Sequence, residues 1–125
     1  MRRPGVIIPL IFLVISACSR VETIPPERAN EMMSSGAAVV VDIRDPKKYA
    51  DGHIRRAMNA EYHPKTFARD TERIDREAAV ILYCGTGLKT KKAAGELERR
   101  GFSRVYVIEG GMEAWKKAGF PVTGR

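Results

Sequence analysis

Residues 78–89, which read AAVILYCGTGLK, decide the fold of this chain. A short apolar run ends at Cys84, a loop with two glycines follows, and a charged segment of helical composition comes next. The apolar run predicts a buried β-strand, because it is uninterrupted and bounded by turn residues. A strand, a tight loop and a helix in this order are typical of a parallel α/β sheet, in which ligands bind at the carboxyl ends of the strands. We therefore expect Cys84 at a ligand-binding edge.

Cys84 is a candidate nucleophile because of this position. Backbone N–H groups of the loop and the amino end of the following helix both stabilise a thiolate and hold an anion beside it. Gly85 and Gly87 allow the backbone to curl around the sulfur without Cβ clashes. The alternative is a cysteine that packs as a small apolar side chain. We favour a reactive thiol.

The rest of the chain alternates between strand-like and helix-like patterns. Strand-like segments lie at residues 21–24, 37–43, 57–60, 78–83 and 104–108. Helices or helix-compatible stretches are predicted at residues 27–33, 46–50, 63–76, 88–100 and 112–118. This alternation with short connections favours one α/β domain, in which helices flank a central, mainly parallel sheet of five strands.

The amino-terminal segment has the layout of a secretory signal peptide. Arg2 and Arg3 are followed by an apolar stretch at residues 6–15, which is too short for a spanning helix. The ISAC sequence that ends at Cys18 resembles a bacterial lipoprotein cleavage box. We expect a signal peptide at residues 1–17, acylation of Cys18 and a short linker at residues 18–23. A plain signal peptide and an uncleaved anchor are the alternatives.

This interpretation predicts an exported protein that is lipid-anchored at the cell envelope and faces the periplasm. Ser19 after the acylated cysteine favours the outer membrane if the host is Gram-negative. If Cys18 carries lipid, Cys84 is the single remaining thiol, so that no intramolecular disulfide can form.

Charge and histidine content narrow the possible ligands. The formal net charge is +7, and the basic residues are scattered rather than arranged in a stripe. This pattern suits a small anionic substrate or an anionic membrane surface, and it argues against nucleic acid. His53 and His63 form no spacing typical of a metal site. We expect no metal and no cofactor.

Three motifs resemble those of rhodanese-like domains. The first comprises VDIRDP at 41–46, Tyr49, GHI at 52–54 and AMN at 57–59. The second is the loop CGTGLK at 84–89. The third comprises GG at 110–111, AW at 114–115 and AGFPV at 118–122. The similarity extends from about Ile24 to Val122, and it assigns residues 24–125 to a single rhodanese domain.

The resemblance implies a rhodanese fold and a thiosulfate sulfurtransferase activity. Cys84 would accept a sulfane sulfur from a donor such as thiosulfate and pass it, through a persulfide, to cyanide or another thiol. Asp42 and Arg44 would form an ion pair that supports the loop. The persulfide would be held by the backbone N–H groups of Gly85, Thr86, Gly87, Leu88 and Lys89.

Two positions depart from the family pattern. Lys89 stands where an arginine is usual, and it offers a point charge instead of a bidentate fork to an anionic donor. Arg56 stands where a glycine is common; it is either solvated, which we favour, or adds positive potential near the site. Lys89 keeps open a second function, in which the protein is a persulfide carrier or interaction module that receives sulfur from a partner protein.

The length of the loop separates sulfur chemistry from phosphate chemistry. Phosphatases that are related to this fold carry a longer loop, with an arginine six residues after the cysteine. Thr90 occupies that position here. A loop that is one residue shorter forms a smaller pocket, so we expect a sulfurtransferase rather than a phosphatase.

Overall fold

Five parallel strands form the central sheet of the computed structural model, which describes residues 2–13 and 20–124. Its strands are Val21–Ile24 (β1), Ala38–Asp42 (β2), Met58–Asn59 (β4), Ala79–Tyr83 (β5) and Arg104–Ile108 (β6). Their order across the sheet is β1-β6-β5-β2-β4. The predicted five-stranded parallel sheet is confirmed. Two further strands, His53–Ile54 (β3) and Val122–Thr123 (β7), pair antiparallel in a separate small sheet.

Five helices pack on the two faces of the sheet. They are Pro26–Ser34 (α1), Pro46–Asp51 (α2), Phe67–Thr71 (α3), Thr90–Arg99 (α4) and Gly111–Lys117 (α5). Phe67 of α3 and Leu97 of α4 join a core on one face, together with Val80 and Leu82 of β5. Ala29 of α1 and Trp115 of α5 join the core on the opposite face.

Strand β5 lies at the centre of the sheet, and all five of its residues are buried. Helices cover both of its faces, so neither face requires polar side chains, and the strand is continuously apolar. This burial explains why residues 78–83 give so clear a strand pattern. Because β5 ends at Tyr83, Cys84 follows at the carboxyl edge of the sheet.

Two helices are shorter than the sequence predicts. The polar stretch at 63–76 forms a helix only at Phe67–Thr71, in which Phe67 and Thr71 are buried. Helix α4 begins at Thr90 rather than Leu88, since residues 85–89 form the loop around Cys84. The small β3–β7 sheet was not predicted, because two-residue strands carry no periodicity.

Arg56 lies in the turn between β3 and β4 with φ of 67°, and it is the one described non-glycine residue with positive φ. Glycine adopts this left-handed conformation without steric cost, which explains why glycine suits the position. The Arg56 side chain is exposed, as in the solvated interpretation, and it does not line the cavity beside Cys84.

The amino-terminal segment at 2–13 forms neither helix nor strand. Its large apolar side chains are exposed. No helix in the described ranges is both long enough and apolar enough to span a bilayer. Cys18 and the predicted cleavage box lie outside the described residues. Strand β1 already begins at Val21, so the sheet includes the second half of the segment that was assigned to a linker at 18–23.

Candidate active site

Cys84 lies at the floor of a cavity at the carboxyl edge of the sheet. Its side chain is buried, with 5% of the residue exposed. The backbone N–H of Gly87 donates a hydrogen bond of 3.0 Å to its Sγ atom. The loop thus encloses most of the cysteine, which also lines the cavity. An N–H group aimed at sulfur is the arrangement that stabilises negative charge there.

Thr90, the first residue of α4, fixes the conformation of this loop by a hydrogen bond. It is fully buried, and its hydroxyl donates a hydrogen bond of 2.8 Å to the carbonyl oxygen of Gly87. The side chain is therefore turned away from the cavity and carries no charge. The position at which phosphatases place an arginine serves here to fix the peptide that contacts the sulfur.

The amino end of α5 fixes the other side of the loop. The N–H of Met112 donates to the Cys84 carbonyl oxygen at 2.8 Å, and the N–H of Glu113 donates to that of Gly85 at 3.1 Å. This close approach requires Gly111, which has φ of +58°. A Cβ atom on Gly111 would lie 2.3 Å from the Cys84 carbonyl oxygen. The GG motif thus allows α5 to contact the backbone of the nucleophile.

Asp42 and Arg44 form the predicted ion pair next to the loop. The Asp42 carboxylate is fully buried and accepts hydrogen bonds from Nε and Nη2 of Arg44, the latter at 2.7 Å. Nη2 also donates to the carbonyl oxygen of Gly52 at 2.6 Å. Partial burial opposes the charge of Arg44, but the hydrogen bonds and charge of Asp42 raise its pKa above the usual value. Arg44 therefore stays charged, and its hydrogen bonds to Asp42 and Gly52 tie β2 to the turn before β3.

The Tyr83 side chain forms a hydrogen bond in addition to packing in the core. Its hydroxyl oxygen accepts a hydrogen bond of 3.0 Å from the backbone N–H of Ile54. Burial and the nearby Asp42 carboxylate raise the pKa of Tyr83 well above its usual value. The hydroxyl is consequently neutral. This contact connects the residue before the nucleophile to β3.

The cavity above Cys84 has a volume of about 270 Å³. Four residues of the predicted cradle line it, namely Gly85, Thr86, Leu88 and Lys89, whereas Gly87 contributes its amide. Arg44 also lines the cavity, and Asp42 lies behind it. The remaining lining residues are Ile43, Asp45, Lys48, Glu61 and Tyr62.

Lys48, Glu61 and Tyr62 were not identified from the sequence. Glu61 and Tyr62 follow β4, whose carboxyl end meets the same edge as that of β5, and this adjacency is the signal that could have found them. His53 donates a hydrogen bond of 2.8 Å from Nδ1 to the Tyr49 carbonyl oxygen and stacks on the Tyr49 ring. It does not line the cavity.

A larger cavity of about 350 Å³ lies between α1 and α5 and is lined in part by Arg55, Arg56 and Trp115. Its lining includes the Ser34 hydroxyl, which donates to the Asn30 carbonyl oxygen, but no thiol, carboxylate or imidazole, so we assign the chemistry to the cavity at Cys84. Within the described ranges, no group of three or more His, Cys, Asp or Glu side chains is arranged to hold a metal ion.

The sequence of this chain is similar to those of known proteins. The model of the rhodanese-like domain family matches residues 25–118. Thiosulfate sulfurtransferase GlpE of Pseudomonas putida is 40% identical over 98 residues, which cover 78% of this chain and 87% of that protein.

Two solved structures have the same fold. The Alr3790 protein of Anabaena superposes with a TM-score of 0.75 at 26% identity, over 82% of each chain. A protein of Rhodopseudomonas palustris, described as a possible tyrosine phosphatase, superposes with a TM-score of 0.68 at 32% identity. The alignment covers 82% of this chain and 85% of that protein. The family match spans most of the described sheet and includes the Cys84 loop, and the chain therefore belongs to the family of rhodanese-like domains.

Proposed function

We propose that this protein is a sulfurtransferase that carries a sulfane sulfur on Cys84. One observation carries the proposal: the Gly87 N–H lies 3.0 Å from Sγ of the cysteine at the floor of a small cavity. Membership of the family and the similarity to thiosulfate sulfurtransferases support the same activity.

In the first step, the Cys84 thiolate attacks the sulfane sulfur of thiosulfate. The new S–S bond forms at Sγ, the S–S bond of thiosulfate breaks, and its electron pair leaves with sulfite. The resulting persulfide carries its negative charge on the terminal sulfur, which the amides of residues 85–89 stabilise. Lys89, which lines the cavity, attracts the anionic donor.

In the second step, cyanide or a thiolate attacks the terminal sulfur of the persulfide. The S–S bond to Cys84 breaks, its electron pair returns to Sγ, and the acceptor leaves as thiocyanate or as a new persulfide. This two-step covalent transfer predicts ping-pong kinetics. Arg44 and Asp42 act by positioning: their ion pair holds the end of β2 beside the cavity.

The test is thiosulfate-to-cyanide transfer by the full chain and by Cys84→Ser. We expect the substitution to abolish thiocyanate formation and the mass gain of one sulfur atom after incubation with thiosulfate. Retention of either property in Cys84→Ser would refute the assignment. Lys89→Arg should raise the activity if donor binding limits it. Lys92→Arg, an exposed residue that does not line the cavity, is the matched control.

A second candidate function is a persulfide carrier that exchanges sulfur with a partner protein. Leu88 favours it, because this large apolar side chain lines the rim of the cavity and is 84% exposed. In that position Leu88 would contact a partner protein that approaches Cys84. A carrier would gain one sulfur atom at Cys84 and yet produce little thiocyanate. An enzyme would form thiocyanate repeatedly from thiosulfate and cyanide.

A phosphatase is disfavoured because Thr90 is buried and hydrogen-bonded to the loop at the position where a phosphate-binding arginine would be needed. We expect no hydrolysis of an aryl phosphate under conditions in which sulfur transfer is measurable.

We also propose that the domain is anchored at the cell envelope through an acylated Cys18. Support comes from the cleavage box, the apolar stretch before it and the start of β1 at Val21, only three residues downstream. The Cys18→Ser substitution should move the protein out of the membrane fraction. If that variant stays in the membrane fraction, acylation is not the anchor.

A further inference from the structure

The charged side chains around the Cys84 cavity fall into paired and unpaired groups. Arg44 is paired with the buried Asp42 at 2.7 Å. Lys48 is paired with Asp45 at 3.8 Å. These two pairs are close to neutral, so neither presents a net charge to a ligand in the cavity.

Glu61 and Lys89 remain. Both line the cavity, and within the described part of the chain neither has an ion pair or a side-chain hydrogen bond. Glu61 is half-buried, whereas Lys89 is exposed at the rim. The cavity that Cys84 lines therefore presents one available carboxylate and one available ammonium group.

The charges of Glu61 and Lys89 are not complementary to those of a dianionic ligand. The Glu61 carboxylate repels thiosulfate and sulfite, and it partly cancels the attraction from Lys89. A site that evolved only for these dianions would gain from an uncharged residue at position 61. A ligand that carries one ammonium and one carboxylate group would satisfy both side chains through charge-assisted hydrogen bonds.

We propose that the sulfur acceptor of this site is a small zwitterionic thiol of the amino-acid type, whose ammonium group binds Glu61 and whose carboxylate binds Lys89. The inference rests on the proposed sulfurtransferase function and names its acceptor class. The cavity of about 270 Å³ is of a size that admits a small molecule and excludes larger ones.

The transfer step balances without an oxidant or reductant. The acceptor enters as its thiolate, having lost its proton to solvent, and attacks the terminal sulfur of the Cys84 persulfide. A new S–S bond forms on the acceptor, and the S–S bond to Cys84 breaks. Its electron pair remains on Sγ, where the Gly87 N–H stabilises the thiolate.

The experiment measures single-turnover discharge of the persulfide. The full chain is charged with thiosulfate, freed of excess donor and checked by intact mass for one added sulfur. It is then mixed with one of four thiols. L-Cysteine carries both an ammonium and a carboxylate group, cysteamine only the ammonium, 3-mercaptopropionate only the carboxylate, and 2-mercaptoethanol neither. Rates are compared per thiolate, since the four thiols differ in acidity.

In the unmodified chain, L-cysteine should discharge the persulfide fastest. Glu61→Gln should slow L-cysteine and cysteamine by about three- to tenfold, the range for a charge-assisted contact at a partly exposed site, and should not slow 3-mercaptopropionate. Lys89→Gln should instead slow discharge of the persulfide by L-cysteine and by 3-mercaptopropionate. Glu77→Gln, an exposed carboxylate at the opposite edge of the sheet, should change none of these rates.

The inference is overturned if Glu61→Gln leaves the ratio of the L-cysteine and 3-mercaptopropionate rates within about twofold of its original value, a change too small for loss of such a contact. Failure of thiosulfate to charge Cys84 is a different result, because it counts against the proposed donor. In that case the thiol is charged chemically with polysulfide, and the acceptor comparison proceeds unchanged.

Discussion

The hydroxyl of Thr90 donates a hydrogen bond of 2.8 Å to the carbonyl oxygen of Gly87, whose own N–H contacts the Cys84 sulfur. The buried Thr90 side chain thus positions Gly87, whose N–H contacts the nucleophile.

Thr90→Val tests this relationship, because it removes the hydroxyl and preserves the shape. We expect a loss of about 1–2 kcal/mol in the free energy of unfolding and a fall of about tenfold in the rate of persulfide formation, as the loop peptide shifts. Urea unfolding and intact-mass kinetics measure the two effects. Thr90→Ser keeps the donor and should retain most of the rate. Equal rates for the Val and Ser variants would show that the hydroxyl does not position the loop.

Gly111→Ala probes the contact between α5 and the Cys84 backbone. The added Cβ would meet the Cys84 carbonyl oxygen at 2.3 Å, and φ is +58°, so we expect a destabilisation of about 2–4 kcal/mol. Gly119→Ala is the matched control, since Gly119 has φ of +82° and a Cβ added there would meet no atom within 4 Å. Its cost should be about 1 kcal/mol from the backbone conformation alone. If urea unfolding gives similar losses for both variants, the close approach is not the cause.

The raised pKa of Tyr83 predicts a dependence of stability on alkaline pH. The folded state keeps the phenol protonated above the usual tyrosine pKa of about 10, whereas the unfolded state loses the proton there. This contribution is fully present below about pH 10, and it is lost as the pH rises, with a slope of about 1.4 kcal/mol per pH unit.

Tyr83→Phe should remove that slope, while it lowers the stability at neutral pH because the Ile54 N–H loses its acceptor. Urea unfolding between about pH 9 and pH 11 compares the variants around the tyrosine pKa. Tyr106→Phe removes a hydroxyl from a half-buried position and serves as the control. Parallel pH profiles for the original chain and Tyr83→Phe would contradict the assignment.

Arg56→Gly should stabilise the protein by about 0.5–1 kcal/mol, because φ of 67° is costly for arginine and free of steric cost for glycine. Arg55→Gly, at the neighbouring exposed residue without positive φ, should instead be destabilising. Thermal or urea unfolding of the two variants should therefore give changes of opposite sign.

The sheet was predictable from the sequence because its central strands are buried on both faces. Residues 79–83 and 104–108 are short apolar runs between turn residues, and the structure forms strands at both. The stretch at 63–76 misled the prediction, since polar residues that tolerate a helix do not require one. The helix there is limited to Phe67–Thr71.

The part of the site that belongs to the Cys84 loop was predictable from the sequence. Cys84 and the residues after it are contiguous, so their proximity follows from the chain itself. Glu61 reaches the same cavity from another strand, and the hydroxyl of Thr90 turns toward Gly87 rather than toward the cavity. Both facts depend on tertiary packing, which no local pattern encodes.

Because the strands are parallel, the amino-terminal start of the sheet and Cys84 lie at opposite edges. Val21 pairs with Val105, and Val105 pairs with Val80 near the start of β5, so the chain enters the sheet at the edge opposite Cys84. Strands of this length span about 15 Å. Immobilisation of the domain through its amino-terminal side, whether on a bead or another support, would therefore attach it at the edge of the sheet away from the Cys84 cavity.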